Sequence, residues 1–341
     1  MINNTWEILG QDGAVKRLAL DLIQNRIAHA YLIVGPPNVG KYTLATRLAQ
    51  ALNCISNDKI PCLSCSQCTR IFKGIHADIS IYQVNQTNGS RQTEIGIGDV
   101  REVERKVVLK PYEGSNRVLI FRKAEHLSEE ASNALLKVIE GPPPQNVFIL
   151  LTENIQLIPP TILSRCRRID LHAIGEDLIL EHLLNNMQIS ETKARLIARL
   201  AQGRLGWALQ AATNPELIRM HNEDLNHMIR IMTSSLEIRF EVANQISRLF
   251  YHNRSEAGTT LNTWKSLWRD MLIIKYGNET DVENLDYLDT FRKTSLNYSR
   301  TQITHYLKAI IKAEGELESN VNAKTCLEAL FLNLPTPLNQ G

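Results

Sequence analysis

Nine residues, Gly35-Pro36-Pro37-Asn38-Val39-Gly40-Lys41-Tyr42-Thr43, have the make-up of a phosphate-binding loop. Gly35 and Gly40 free the backbone to turn N–H groups toward an anion, and Lys41 supplies a point charge. The pattern breaks directly after the lysine, where a Ser or Thr hydroxyl should hold Mg²⁺. Tyr42 stands there. Thr43 comes one residue late, about 100° round a helix of ~3.6 residues per turn. The loop is therefore expected to cradle phosphate, of ATP or ADP, through Gly35, Gly40 and Lys41, but without the usual metal grip.

A second chemistry lies just downstream. Cys54, Cys62, Cys65 and Cys68 follow the spacing C-x7-C-x2-C-x2-C. Disulfides are disfavoured in a reducing compartment, and four thiols so spaced predict a tetrahedral Zn²⁺ site over residues 54–68. An iron–sulfur cluster also takes four thiolates, but the usual bacterial run ends in Cys-Pro, which is missing here. Free thiols without metal are the other alternative. With four protein ligands a zinc would be structural, with no open position for catalysis.

The elements that must position these residues follow from periodicity. Tyr31-Leu32-Ile33-Val34 reads as a strand entering the loop, and Leu44–Ala49 as the helix leaving it, the order a phosphate-binding loop requires. An earlier amphipathic helix starts at Gly10-Gln11, with Val15, Leu18, Ala19 and Leu22 on one face. A second strand is expected within His76–Asn85. A helix is expected over Asp99–Lys110, with Val100, Val103, Val107 and Val108 inward and Arg101, Arg105 and Lys106 outward. That basic face suits a partner, DNA or plain solvent.

A third strand, Val118–Phe121, ends where a P-loop ATPase carries one carboxylate for Mg²⁺ and another for the attacking water. Arg122 and Lys123 occupy those positions, and Glu125 is displaced. A helix over Glu129–Glu140 is capped by Ser128 and stopped by Gly141-Pro142. Strand four covers Val147–Thr152. Past Leu171 only helical patterns remain: Glu176–Asn186, Glu191–Ala201, one from near Leu205, and further helices over 216–334. Trp264, Leu267, Trp268, Met271 and Leu272 form a core stripe among them.

Composition bounds the rest. At 341 residues, two or three domains are expected. Hydrophobic content of 43% supports real cores, 22% charged residues exclude long disordered tracts, and a net charge of +2 leaves nucleic-acid binding to local patches. The first residues show no signal-peptide pattern, and no apolar run approaches the ~18 residues of a membrane span, so a cytoplasmic protein is expected.

Several motifs together carry a family resemblance. HAYLIVGPPNVGK, the four-cysteine insertion, ASNALLKVIEGPP, ILSRC, GRLGWAL (203–209) and VNAKTCLEALFLNLP (321–335) resemble, in order and spacing, the ATPase-like subunits of the bacterial DNA polymerase III clamp loader. The resemblance covers nearly the whole chain. It implies an α/β P-loop AAA+ core with the zinc-binding insertion over 1–172, a helical lid over 173–214 and a helical collar, the oligomerisation domain, over 215–341.

The same resemblance singles out what has been lost. Motor members of the family carry Ser or Thr at the position of Tyr42, Asp and Glu at those of Arg122 and Lys123, and a nucleotide-touching Arg in the lid where Gly206 stands. An ATPase-deficient member is therefore implied, one that helps load the sliding clamp on primed DNA as part of the DNA polymerase III holoenzyme, a nucleotidyltransferase. Its partners would be the motor subunits and a delta subunit in a hetero-pentameric ring, with the clamp and primer-template DNA met through the complex. Within Ser164-Arg165-Cys166, Arg165 matches the family's arginine finger, offered in trans to a neighbour's nucleotide. A plain ion pair with a local acid such as Asp170 is the competing expectation. Two other functions stand beside this one. An active gamma/tau-like motor would need the missing hydroxyl and carboxylates. A zinc-containing nucleic-acid module with a relic P-loop would need aromatics interleaved with basic residues, and only Arg70, Phe72 and Lys73 lie near the cysteines.

Overall fold

Five short strands form one parallel sheet: β1 (Ala30–Val34), β2 (Ile79–Tyr82), β3 (Arg117–Phe121), β4 (Asn146–Thr152) and β5 (Arg167–Asp170), in the order β2-β3-β4-β1-β5. The computed structural model describes residues 6–84, 86–87, 90–91, 94–318 and 321–338. Every residue of β1, β3 and β4 is buried, as expected for central strands covered on both faces. Alternation assigns their side chains to two layers. Tyr31, Ile33, Val118, Ile120, Ile149 and Leu151 pack on one face with α1 (Asp12–Ile23), α2 (Lys41–Asn53) and Ile71 of α3 (Ser66–Phe72). Leu32, Val34, Leu119, Phe121, Phe148 and Leu150 pack on the other with α4 (Ile97–Val107), α5 (Glu129–Glu140) and α6 (Pro160–Leu163).

Register fixes the functional edge. Val34 pairs with Thr152 of β4 and with Asp170 of β5, so the C-terminal ends of three adjacent strands meet where the Gly35 loop begins. In open α/β sheets, ligand sites lie at this edge.

Three sequence expectations change. β5 goes unannounced because Arg167-Arg168-Ile169-Asp170 carries one apolar residue, the only one of the four that is buried, as suits an edge strand. β2 is shorter than His76–Asn85, and Asn85 itself lies outside the described residues. Val108 does not point inward: α4 ends at Val107, and Val108 is 76% exposed.

The chain divides into two compact units, Met1–Asn185 with Ala201–Ala208, and Asn186–Leu200 with Leu209–Gly341. The short helices α7 (Glu176–Asn186), α8 (Glu191–Ala201) and α9 (Leu205–Thr213) are shared between them. The second unit goes on through α10 (Glu216–Met232), α11 (Leu236–His252), α12 (Arg254–Lys275), α13 (Leu288–Ser295), α14 (Arg300–Glu318) and α15 (Ala323–Leu332). Trp264, Trp268, Tyr306 and Phe331 are fully buried in its core, with Tyr306 4.7 Å and Tyr298 5.5 Å from the Trp268 ring. Among the described residues no helix is long and apolar enough to cross a membrane.

Candidate functional site

The Gly35 loop is fastened to the sheet from both sides. The Gly35 N–H donates to the Thr152 carbonyl at 3.2 Å, and Leu171 N–H to the Val34 carbonyl at 2.8 Å. A side chain at Gly35 would place its Cβ 2.6 Å from the Leu171 carbonyl oxygen, so only glycine fits. Gly40, at φ +101°, turns the chain into α2 in a conformation that glycine tolerates and L side chains resist. Lys41 is the first residue of that helix and is buried.

Its ammonium is already engaged. Nζ donates to the carbonyls of Gly35 at 2.7 Å and Pro36 at 2.6 Å, and lies 3.7 Å from the Glu153 carboxylate. Burial lowers its pKa below the ordinary lysine value, outweighing the opposing pull of Glu153 and Glu125. The loop thus supplies its own acceptors for the charge that a phosphate would otherwise meet.

The two positions where Mg²⁺ ligands would sit face each other directly. The Arg122 guanidinium lies 4.6 Å from the centre of the Tyr42 ring, a cation–π pair. Arg122 Nη1 also donates to Gln83 Oε1 at 2.9 Å. A guanidinium over a phenol ring leaves no oxygen pair for a cation at that point. Thr43 is exposed, and Glu125 turns to the backbone, accepting Glu153 N–H at 3.2 Å. On the opposite side of the loop, Gly206 N–H donates to the Asn38 carbonyl at 2.8 Å. A Cβ at Gly206 would stand 2.9 Å from that oxygen. An arginine there would displace the loop from its present position.

The four cysteines come together. Their sulfurs all lie within 4.8 Å of one another, close to the ~3.8 Å edge of a tetrahedron with metal–sulfur bonds of about 2.3 Å. Backbone N–H groups of Cys62, Cys65 and Cys68 point at the sulfurs of Cys54, Cys62 and Cys65 at 3.4, 3.3 and 3.5 Å. Burial works against ionising Cys62, but the N–H groups of Cys65 and Ser64 and the neighbouring thiols bring its pKa down to about 6. Soft donors in this arrangement suit a thiophilic metal. Cys166, half-buried, and Cys326, buried, stand apart, their thiols raised to about 12 and about 11 respectively, with desolvation the main cause in both.

A bracket sequence reading missed ties this module to the sheet. Gln67 Nε2 donates to the Glu113 carbonyl at 3.1 Å, and Arg70 pairs with the Glu113 carboxylate. Next to it, the buried Asp78 carboxylate accepts the N–H groups of Tyr112, Glu113 and Gly114 at 2.7, 2.8 and 2.9 Å and meets Arg117 at 3.4 Å. A Cβ at Gly114 would sit 2.5 Å from Asn53 Oδ1 and would push aside the oxygen that accepts the Asn116 N–H. The available signal was a lone aspartate at a strand entrance, opposite a Gly-containing turn.

Arg165 lies between α6 and β5 with 38% of its side chain exposed. Its Nη2 meets Glu140 at 2.7 Å, while Nη1 donates to the Thr161 carbonyl and to Ser164 Oγ. Asp170, the acid proposed for it on sequence, is paired with Arg168 instead.

A parallel sheet whose central strand runs into a glycine-bounded loop, with a lysine opening the next helix, defines a P-loop-type α/β domain. Residues 10–175 match the family model described as "DNA polymerase III, delta subunit". Along its length the chain is 25% identical to DNA polymerase III subunit delta′ of Bacillus subtilis, covering 95% of this chain and 96% of that one. It is 28% identical to subunit tau of the same organism over 92% of this chain, but spans only 58% of tau. The chain belongs to the DNA polymerase III clamp-loader subunits, the family of delta-prime, gamma and tau. A gamma subunit-related protein from Thermotoga maritima superposes over 92% of this chain at a TM-score of 0.43 and 14% identity, too loosely to inform any site.

Proposed function

We propose that the chain is a delta-prime-type clamp-loader subunit, an AAA+ member without ATPase activity of its own. In this reading it helps load the sliding clamp during DNA replication and lends Arg165 to the nucleotide of a neighbouring motor subunit. The observation that carries it is the Tyr42–Arg122 stack in the two places where an ATPase needs a hydroxyl and a carboxylate on Mg²⁺. Lys41 held by its own loop and Gly206 seated on Asn38 support it from two further sides. Gly35, Gly40 and Lys41 keep the form of a phosphate cradle, so any nucleotide held there would serve binding and not turnover.

The core over 1–172, the lid over 173–214 and the collar over 215–341 are the divisions this role implies. Motor subunits and a delta subunit would complete the ring and bring the clamp and primer-template DNA. Cys54, Cys62, Cys65 and Cys68 would hold one structural Zn²⁺, ordering the segment between α2 and α3.

The test is hydrolysis of radiolabelled ATP by the purified chain with Mg²⁺. No turnover is expected. A rate near the ~1 s⁻¹ low end for common enzymes, abolished by Lys41→Ala, would sink the reading in favour of a gamma/tau-like motor. For the metal, one zinc per chain is expected by elemental analysis; a Cys65→Ser variant with full zinc content would remove the site.

A further inference from the structure

Within the helical unit, one surface gathers cations and no acids. Arg300, Thr301, Thr304, His305 and Lys308 of α14 follow the i, i+1, i+4, i+5, i+8 spacing that shares one helix face. With Tyr276, just past the end of α12, they line an open concavity of about 330 Å³. Among the described residues no carboxylate lines it. Lys312, one turn further on, is paired with Glu316, whereas Arg300 and Lys308 enter no ion pair among the described residues. The Arg300 guanidinium lies 4.5 Å from the Tyr276 ring centre and donates to the Lys275 carbonyl at 2.7 Å. The tyrosine is nonetheless 65% exposed.

We propose that this concavity binds single-stranded nucleic acid, with Arg300, His305, Lys308 and the two threonine hydroxyls on the phosphates and Tyr276 against a base. An acidic peptide would satisfy the cations, but it would leave the exposed ring without a role. A ring set among unpaired cations is what a strand of stacked bases on a phosphate backbone requires. The site is independent of the P-loop and of the reading given to Arg165.

Fluorescence anisotropy of a labelled 20-residue oligo-dT with the full-length chain tests it. Arg300→Glu with Lys308→Glu should weaken binding at least tenfold at low salt. It should also make the salt dependence shallower by about 1.4 in log–log slope, at ~0.7 per phosphate contact on a single strand. Tyr276→Ala should cost about thirtyfold, the middle of the range for one lost base stack, and ultraviolet irradiation should cross-link Tyr276 to the oligonucleotide. Both variants change exposed side chains, so unaltered thermal melting is expected and serves as the folding control. Wild-type protein that fails to bind, or binding lost only in an Arg101→Glu/Arg105→Glu variant of α4, overturns the proposal. So does an α14 variant that keeps the oligonucleotide but no longer co-purifies with motor subunits, which would make this face a protein interface.

Discussion

Lys41 and Arg165 are long cations of the same α/β unit, and the structure treats them in opposite ways. Lys41 is withdrawn from water and held by two carbonyls of its own loop with Glu153 behind it. Arg165 has 38% of its side chain exposed, and its acidic partner, Glu140, has 45% exposed. An exposed pair of this kind contributes only ~0–1 kcal/mol, so exchanging Glu140 for a phosphate on another chain costs little. Prising Lys41 from its carbonyls would strip a buried charge of its partners. One cation is closed on itself and the other is available.

The contrast breaks most visibly at Arg165. In a reconstituted loader, Arg165→Ala should lower hydrolysis by the neighbouring subunit by about 10³-fold or more, the scale of a finger supplied in trans. Arg165→Lys should recover only part of it, lacking the guanidinium fork. Clamp loading at the wild-type rate by the alanine variant would leave Arg165 as a local ion pair. A smaller effect is expected at Gly206. Gly206→Arg should destabilise the chain by about 1–3 kcal/mol through overpacking on Asn38, read as a lower denaturation midpoint, and should create no ATPase activity. Smaller again is Tyr42→Thr. Losing the stack on Arg122 should cost about 0.5–1 kcal/mol, and with Arg122 and Lys123 still in place hydrolysis should stay absent. Turnover in that single variant would show that the loop is less closed than its geometry implies.

Much of the α/β unit was legible because its signals are local. Gly35, Gly40 and Lys41 announce a turn and a helix start, and the apolar runs at 31–34, 118–121 and 147–152 fall on buried strands within a residue of their expected ends. The cysteine spacing implied a cluster, and the four sulfurs meet. What stayed hidden depends on residues far apart in the chain. Gly206 on Asn38, Glu140 on Arg165 and Gln67 on Glu113 join positions that no periodicity relates. β5 escaped because a polar edge strand has almost no pattern to read. Val108 was misassigned for a simpler reason: its spacing fits the helix, but the helix stops one residue short of it.

The Asp78 bracket makes part of this molecule responsive to acid. Burial alone would raise that carboxyl, but the N–H groups of Glu113, Tyr112 and Gly114, with Arg117, hold it below the ordinary aspartate value. A carboxylate with a depressed folded pKa contributes stability that is complete above its unfolded pKa and disappears as pH falls through the folded one. Protonation would turn one fastening acceptor into a donor facing three other donors. Hydrogen exchange should therefore find the amides of Tyr112, Glu113 and Gly114 losing protection on acidification before the buried core around Trp264 and Trp268 does. Asp78→Asn, which keeps one acceptor oxygen in place of two, should expose part of the same group of amides already at neutral pH. The segment carrying Arg70 and the cysteines, tied to Glu113, would come loose with them, so one buried carboxylate fastens the outer attachment of the metal module as well as its own turn.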